Sequence, residues 1–157
     1  MLTFNVFDAT FEYNPGDPEP FRGGQNRFGP KLGAKQLGAS VYELPPGQSV
    51  CPYHYESKEE WLIVLEGQLT VRSPAGETVL GPGDATVFPA GPAGAHRTRN
   101  DTGETVRLLM FADTNPVGYS CYPDSNKITH WTDSSDPADN VRVRRGQNLD
   151  YWDGELG

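Results

Sequence analysis

Turn-forming residues interrupt this chain so often that no long helix fits between them. Between residues 37 and 114 the apolar runs are short, as in ASVYEL, EWLIVLE, LTVR, ETVL, ATVF and ETVRLLMFA. Pro-Gly, Gly-Pro-Gly, Pro-Ala-Gly or Asp-Thr-Gly turns separate them. With 18 Gly and 14 Pro in 157 residues, the spacing predicts about eight short strands packed as an all-β sandwich or barrel. The strongest run, Glu60 to Glu66, is seven residues ended by Gly67, which fits a buried strand better than a helix. Gln48 to Glu56 reads as the strand before it, and Ser57 to Glu59 as the turn between the two.

The length is that of one domain with a real core. It divides into an irregular N-terminal arm (1–36), the β barrel (37–114) and a C-terminal extension (115–157), in which VGYSCYPDSNKITHW (117–131) offers a further strand or two. Five large apolar residues of the arm, Phe4, Val6, Phe7, Phe11 and Tyr13, predict docking on the domain or on a second subunit. Tyr151-Trp152 reads as an anchor that tucks the C-terminus down, and the acidic run 132–140 as a solvated loop. A formal net charge of −8 disfavours nucleic acid and anionic membrane as partners, and no apolar run is long enough to span a bilayer. Cys51 and Cys121 lack a Cys-x-x-Cys spacing and no secretory signal precedes them, so two free thiols in a cytoplasmic protein are expected.

The residues that carry chemistry lie around the Glu60 strand. His54 and Glu56 are two apart in an extended run and share a face, and Glu60 can join them from the next strand. His96, after the Gly-rich loop 89–94, supplies a fourth group. Gly47, His54, Glu56, Glu60 and Gly67 resemble the first motif of the cupin superfamily, and Gly83, Pro89, Gly91, His96 and Asn100 resemble the second. The resemblance spans about half the chain, Gly38 to Asp113, with a loop two residues longer than usual between Gly91 and His96. The flanks YPDSNKI and DYWDGE resemble those of small single-domain bacterial cupins.

This resemblance implies a double-stranded β-helix, a jelly-roll barrel with a metal in its mouth. It also implies the ligand set His54, Glu56, Glu60 and His96 for a divalent transition metal such as Fe, Mn, Zn, Ni or Cu. Glu56 departs from the family, which usually has a second histidine there. Three readings stay open: Glu56 coordinates the ion; Glu56 bonds a substrate or water beside a His54, Glu60, His96 triad; or the site is vestigial. Two carboxylates and two imidazoles converging in a small barrel repel and desolvate without a cation, which favours metal binding.

By alternation Tyr53 and Tyr55 point away from the site, as do Arg97 and Arg99, while Thr98 points inward. Asn100 is expected to close its turn, Cys51 to be a small buried group, Glu59 to be exposed and His130 to be structural or at the surface. The function implied is a metal-dependent enzyme on a small oxygenated metabolite, with dioxygenase, decarboxylase, isomerase and hydrolase chemistries open. The alternative is a non-enzymatic module binding or sensing a small molecule. A metal-free sugar-nucleotide isomerase or epimerase is disfavoured by the intact ligand constellation. Homodimers are common among cupins of this size, and a homodimer is expected here.

Overall fold

The computed structural model describes residues 1–146 and 148–155; Gln147 and the last two residues of the C-terminal extension lie outside that description. Its strands are β1 (Gly24–Arg27), β2 (Leu37–Leu44), β3 (Tyr55–Glu56), β4 (Glu60–Glu66), β5 (Leu69–Ser73) and β6 (Gly76–Leu80). They continue with β7 (Ala85–Phe88), β8 (Arg97–Arg99), β9 (Val106–Asp113), β10 (Gly118–Tyr122), β11 (Lys127–Trp131) and β12 (Val141–Arg144). Four one-turn 3₁₀ segments are the only helices among the described residues. None is long and apolar enough to cross a membrane.

One sheet has the order β1-β2-β9-β4-β7, and two smaller sheets, β12-β11-β10-β3 and β6-β5-β8, complete the jelly roll. The smaller sheets meet where His54 and His96 exchange reciprocal backbone hydrogen bonds of 3.0 and 2.8 Å. Every registered pair is antiparallel; short turns join β5 to β6 and β10 to β11, while most neighbours, such as β2 with β9 and β9 with β4, are distant in sequence. The turns have their own chemistry. At 81–84 the Gly81 amide donates to the Asp84 carboxylate at 2.8 Å, and Gly83 takes φ 89°, where a side chain would be strained.

Alternation builds the core. Leu62 and Val64 of β4 are fully buried between the sheets, while Trp61 on the other face stays 46% exposed. Leu44, Leu69, Val71, Phe88, Val106, Leu108 and Met110 complete the inner cluster. The arm packs Phe4, Val6, Ala9 and Phe11 over Phe28, Ala39 and Val41, with the Phe4 and Phe28 rings stacked at 4.8 Å. Phe4, Val6 and Phe11 thus dock on the domain as expected, while Phe7 and Tyr13 stay exposed.

Three expectations need correction. The arm is not wholly irregular, because β1 pairs in register with β2. The strand expected over Gln48–Glu56 is broken. Its ends pair with the 96–100 segment, but the chain bends through Val50–Tyr53, where Pro52 has no N–H to give to a ladder. The segment 117–131 makes the two strands it offered, β10 and β11, and the basic run adds β12 against β11. Tyr151 and Trp152 do not tuck in: they are 83% and 58% exposed and stack edge to face on each other at 4.6 Å.

Candidate metal centre

Three strands deliver the site. His54 lies just before β3 and His96 just before β8, held side by side by their backbone pair. Glu60 begins β4 in the opposite sheet and faces inward with Leu62 and Val64. The Glu60 Oε2 atom is 3.7 Å from His54 Nε2 and 3.7 Å from His96 Nε2. One donor atom from each of the three residues lies within 4.8 Å of the others, so the group can hold an ion.

The donor atoms are preset. His54 Nδ1 sits 3.0 Å from the Pro52 carbonyl oxygen and His96 Nδ1 2.9 Å from the Gly94 carbonyl oxygen. A carbonyl only accepts, so each Nδ1 carries the proton and each Nε2 keeps its lone pair for the centre. Stacking fixes the rings further: Phe88 lies on His96 at 3.5 Å with planes 7° apart, and Tyr122 faces His54 at 5.9 Å.

The electrostatics ask for a cation. His96 is 1% exposed, and its Nε2 has no hydrogen-bond partner among the described residues. Burial, with the Glu56 carboxylate second, pushes Glu60 up to about 8. Burial, with neighbouring His54, holds His96 down to about 4, and burial lowers His54 as well. A carboxylate kept protonated beside two unprotonated imidazoles is a site waiting for positive charge. Metal bonds of roughly 2.0–2.2 Å put adjacent ligand atoms roughly 3–3.5 Å apart; the two separations to Glu60 are 3.7 Å, and all three donor atoms fall within 4.8 Å of one another.

Glu56 is beside this group but differently engaged. Its Oε1 accepts a 2.7 Å hydrogen bond from the Ser120 hydroxyl and lies 3.8 Å from His54 Nε2. Ser120 is directly opposite Glu56 in the β10–β3 register. Sequence reasoning missed Ser120 and Tyr122, which lie two apart on the site face of β10. Alternation alone would pair them, but only the register shows which strand they face.

Several side chains flanking the centre lie as expected, although Cys51, expected to be buried, is only half-buried. Tyr53 and Tyr55 pack away from the centre with Ala95 and Cys121. Arg97 donates to Ser49 and Arg99 pairs with Asp101 and Glu77. Thr98 is buried. Asn100 closes its turn, donating to the Leu44 and Glu104 carbonyls at 2.8 and 2.7 Å and accepting from Thr102. Both cysteines are free. The Cys51 Sγ is 3.4 Å from His54 Nδ1, and burial, then Glu60 and Glu56, drives the thiol far above its ordinary value, so it stays protonated.

A β sandwich carrying a His-Glu-His group in its mouth defines a class of metal-capable jelly rolls. Residues 40–112 match the family model described as "Cupin domain", so this chain carries a cupin domain over its barrel. No curated protein matches the chain. Among solved structures, a cupin-superfamily sugar phosphate isomerase from Silicibacter pomeroyi matches at 22% identity and TM-score 0.79, covering 96% of this chain and 98% of that one. A putative sugar phosphate isomerase from Acidithiobacillus ferrooxidans matches at 23% and 0.80, covering 96% and 95%. The polyketide cyclase of Streptomyces resistomycificus matches at 25% and 0.61, covering 72% and 79%. The first two likenesses establish the fold.

Proposed function

We propose that this cupin is a metal-dependent enzyme acting on a small oxygenated metabolite, with His54, Glu60 and His96 as metal ligands. The carrying observation is the buried, unpartnered His96 Nε2 facing a Glu60 carboxylate shared with His54. The polyketide cyclase among the similar structures is an enzyme on the same scaffold, which supports an enzymatic reading. A divalent transition ion held there supplies Lewis acidity toward neighbouring oxygens of a substrate.

Of the three readings of Glu56, we favour the second. Its carboxylate is turned to Ser120 and stands beside the triad, where it can take and return a proton on the substrate. Tyr122 and Phe88 hold the imidazoles against rotation. A homodimer is part of the proposal, supported by Trp61 and Val87, paired neighbours exposed on the outer face of the large sheet. The two unpaired thiols support a cytoplasmic setting.

Elemental analysis of protein expressed without added metal is the test. Wild type is expected to carry close to one transition ion per chain and His96→Ala almost none; equal content in the two overturns the ligand set. Iron or manganese would direct substrate trials to oxygen uptake with catechols, diketones and keto acids, and zinc to hydrolysis or isomerisation.

A further inference from the structure

Beyond the metal centre, the inner face of the large sheet continues to the open end of the sandwich. Ser40 and Tyr42 of β2, Met110 of β9 and Glu60 line a cavity of ≈320 Å³ there, within the range of small-molecule sites. A second cavity of ≈540 Å³, walled by Tyr13 and Phe21 of the arm, lies next to it. The two share Arg27 and Tyr42. Register explains the placement: β1 sets Arg27 opposite Ser40 and Gln25 opposite Tyr42, so the arm's one well-paired strand carries a guanidinium to the boundary between the cavities.

Arg27 is the only Lys or Arg lining either cavity. Other arginines of the barrel and arm are engaged: Arg22, Arg72, Arg99 and Arg107 each pair with a carboxylate, and Arg97 donates to Ser49. Among the described residues no carboxylate lies within 4.0 Å of the Arg27 guanidinium. On the arm side the surroundings are acidic, with Glu12 and Asp17 lining the larger cavity, in a chain of net charge −8. An anion entering this mouth therefore finds the cationic side chain of the cavity linings at Arg27, exposed at the end of β1, whose fork of donors suits a carboxylate or a phosphate equally.

We propose that the site selects organic anions, whose carboxylate or phosphate group is received by Arg27 between the two cavities with the Ser40 and Tyr42 hydroxyls beside it. The oxygenated end of the same molecule then reaches the His54, Glu60, His96 centre, and in this respect the inference rests on the metal-dependent function proposed above. Selection and chemistry are divided between two strands of one sheet. The cation on β1 decides which molecules enter, and Glu60 on β4 marks where they react.

The test is an NMR titration of ¹⁵N-labelled, metal-free full chain at fixed ionic strength. The probes are inorganic phosphate and succinate, run separately on wild type, Arg27→Gln and Arg27→Lys. Wild type is expected to show saturable shifts at Asn26, Phe28 and Ser40 with at least one probe. Arg27→Gln should weaken that binding tenfold or more, with Arg27→Lys in between and an unchanged thermal midpoint in all three. Saturation by phosphate alone assigns a phosphate ester, and by succinate alone a carboxylate. Linear shifts with both probes, or an Arg27→Gln response equal to wild type, overturn the proposal. Because the protein is metal-free, this outcome is independent of metal analysis: failure of the ligand set leaves the Arg27 result readable, and the reverse.

Discussion

Glu56 and Glu60 offer the same functional group four residues apart, and their surroundings separate their roles. Glu60 faces two imidazole lone pairs from across the sandwich, whereas Glu56 is turned toward a hydroxyl on its neighbouring strand. Glu60→Gln is therefore expected to abolish metal retention, while Glu56→Gln keeps the ion with affinity lowered by no more than roughly tenfold, the effect of a group one step removed. Equilibrium dialysis against a chelator distinguishes the two, and comparable loss in both would make Glu56 a fourth ligand. Asn100 has a different task. Fully buried, it satisfies the Leu44 and Glu104 carbonyls and the Thr102 amide, so Asn100→Ala leaves several polar groups unmet. A loss of roughly 2–4 kcal/mol in urea unfolding is expected, with metal stoichiometry retained in the folded fraction.

At the scale of elements, the loop before His96 turns on its glycines. Gly91 takes φ 86° and the chain then turns through Pro92–Gly94. A Cβ on Gly94 would come 1.9 Å from the Pro89 carbonyl oxygen, an impossible approach to backbone, while one on Gly91 would meet nothing within 4 Å. Gly91→Ala should cost only its backbone strain, roughly 1–3 kcal/mol by thermal unfolding, with the ion retained. Gly94→Ala should also lose metal, since the carbonyl that orients His96 belongs to Gly94 itself. The strands around this loop were legible because alternation and turn residues are local signals: Leu62 in and Trp61 out follow from period two. His54, Glu60 and His96 were legible from motif spacing. Ser120 and Arg27 were not, since each reaches the site through strand pairing, and pairing partners leave no mark in one sequence. Tyr151-Trp152 misled because an aromatic pair at a chain end can satisfy itself, ring on ring, without a core.

For the whole molecule, the centre ties stability to pH and to metal. Glu60 has an ordinary value of 4.5 and is held at about 8 in the fold. Between those limits the folded chain keeps a proton that the unfolded chain has released, so the metal-free protein loses stability as pH rises through that window. His96 works in the other direction. Its ordinary 6.5 is lowered to about 4, so its contribution is complete above 6.5 and fades as pH falls toward 4, and His54 shifts the same way. Asp101 and Asp124, lowered chiefly by their arginine partners, add only to the acid limb, and Tyr13, raised to about 12, titrates beyond the alkaline one. The alkaline limb between about 4.5 and 8 thus belongs to Glu60, and an ion that takes the place of its proton should remove it. Chelator-treated protein is expected to lose several degrees of Tm between pH 6 and 8.5, while protein with excess Mn²⁺ holds within roughly 2 °C over the same range. Glu60→Gln should be flat there with or without the ion. A metal-free wild type as flat as that variant would mean that Glu60 is ionised in the empty fold, and that the pull toward a cation comes from the imidazoles alone.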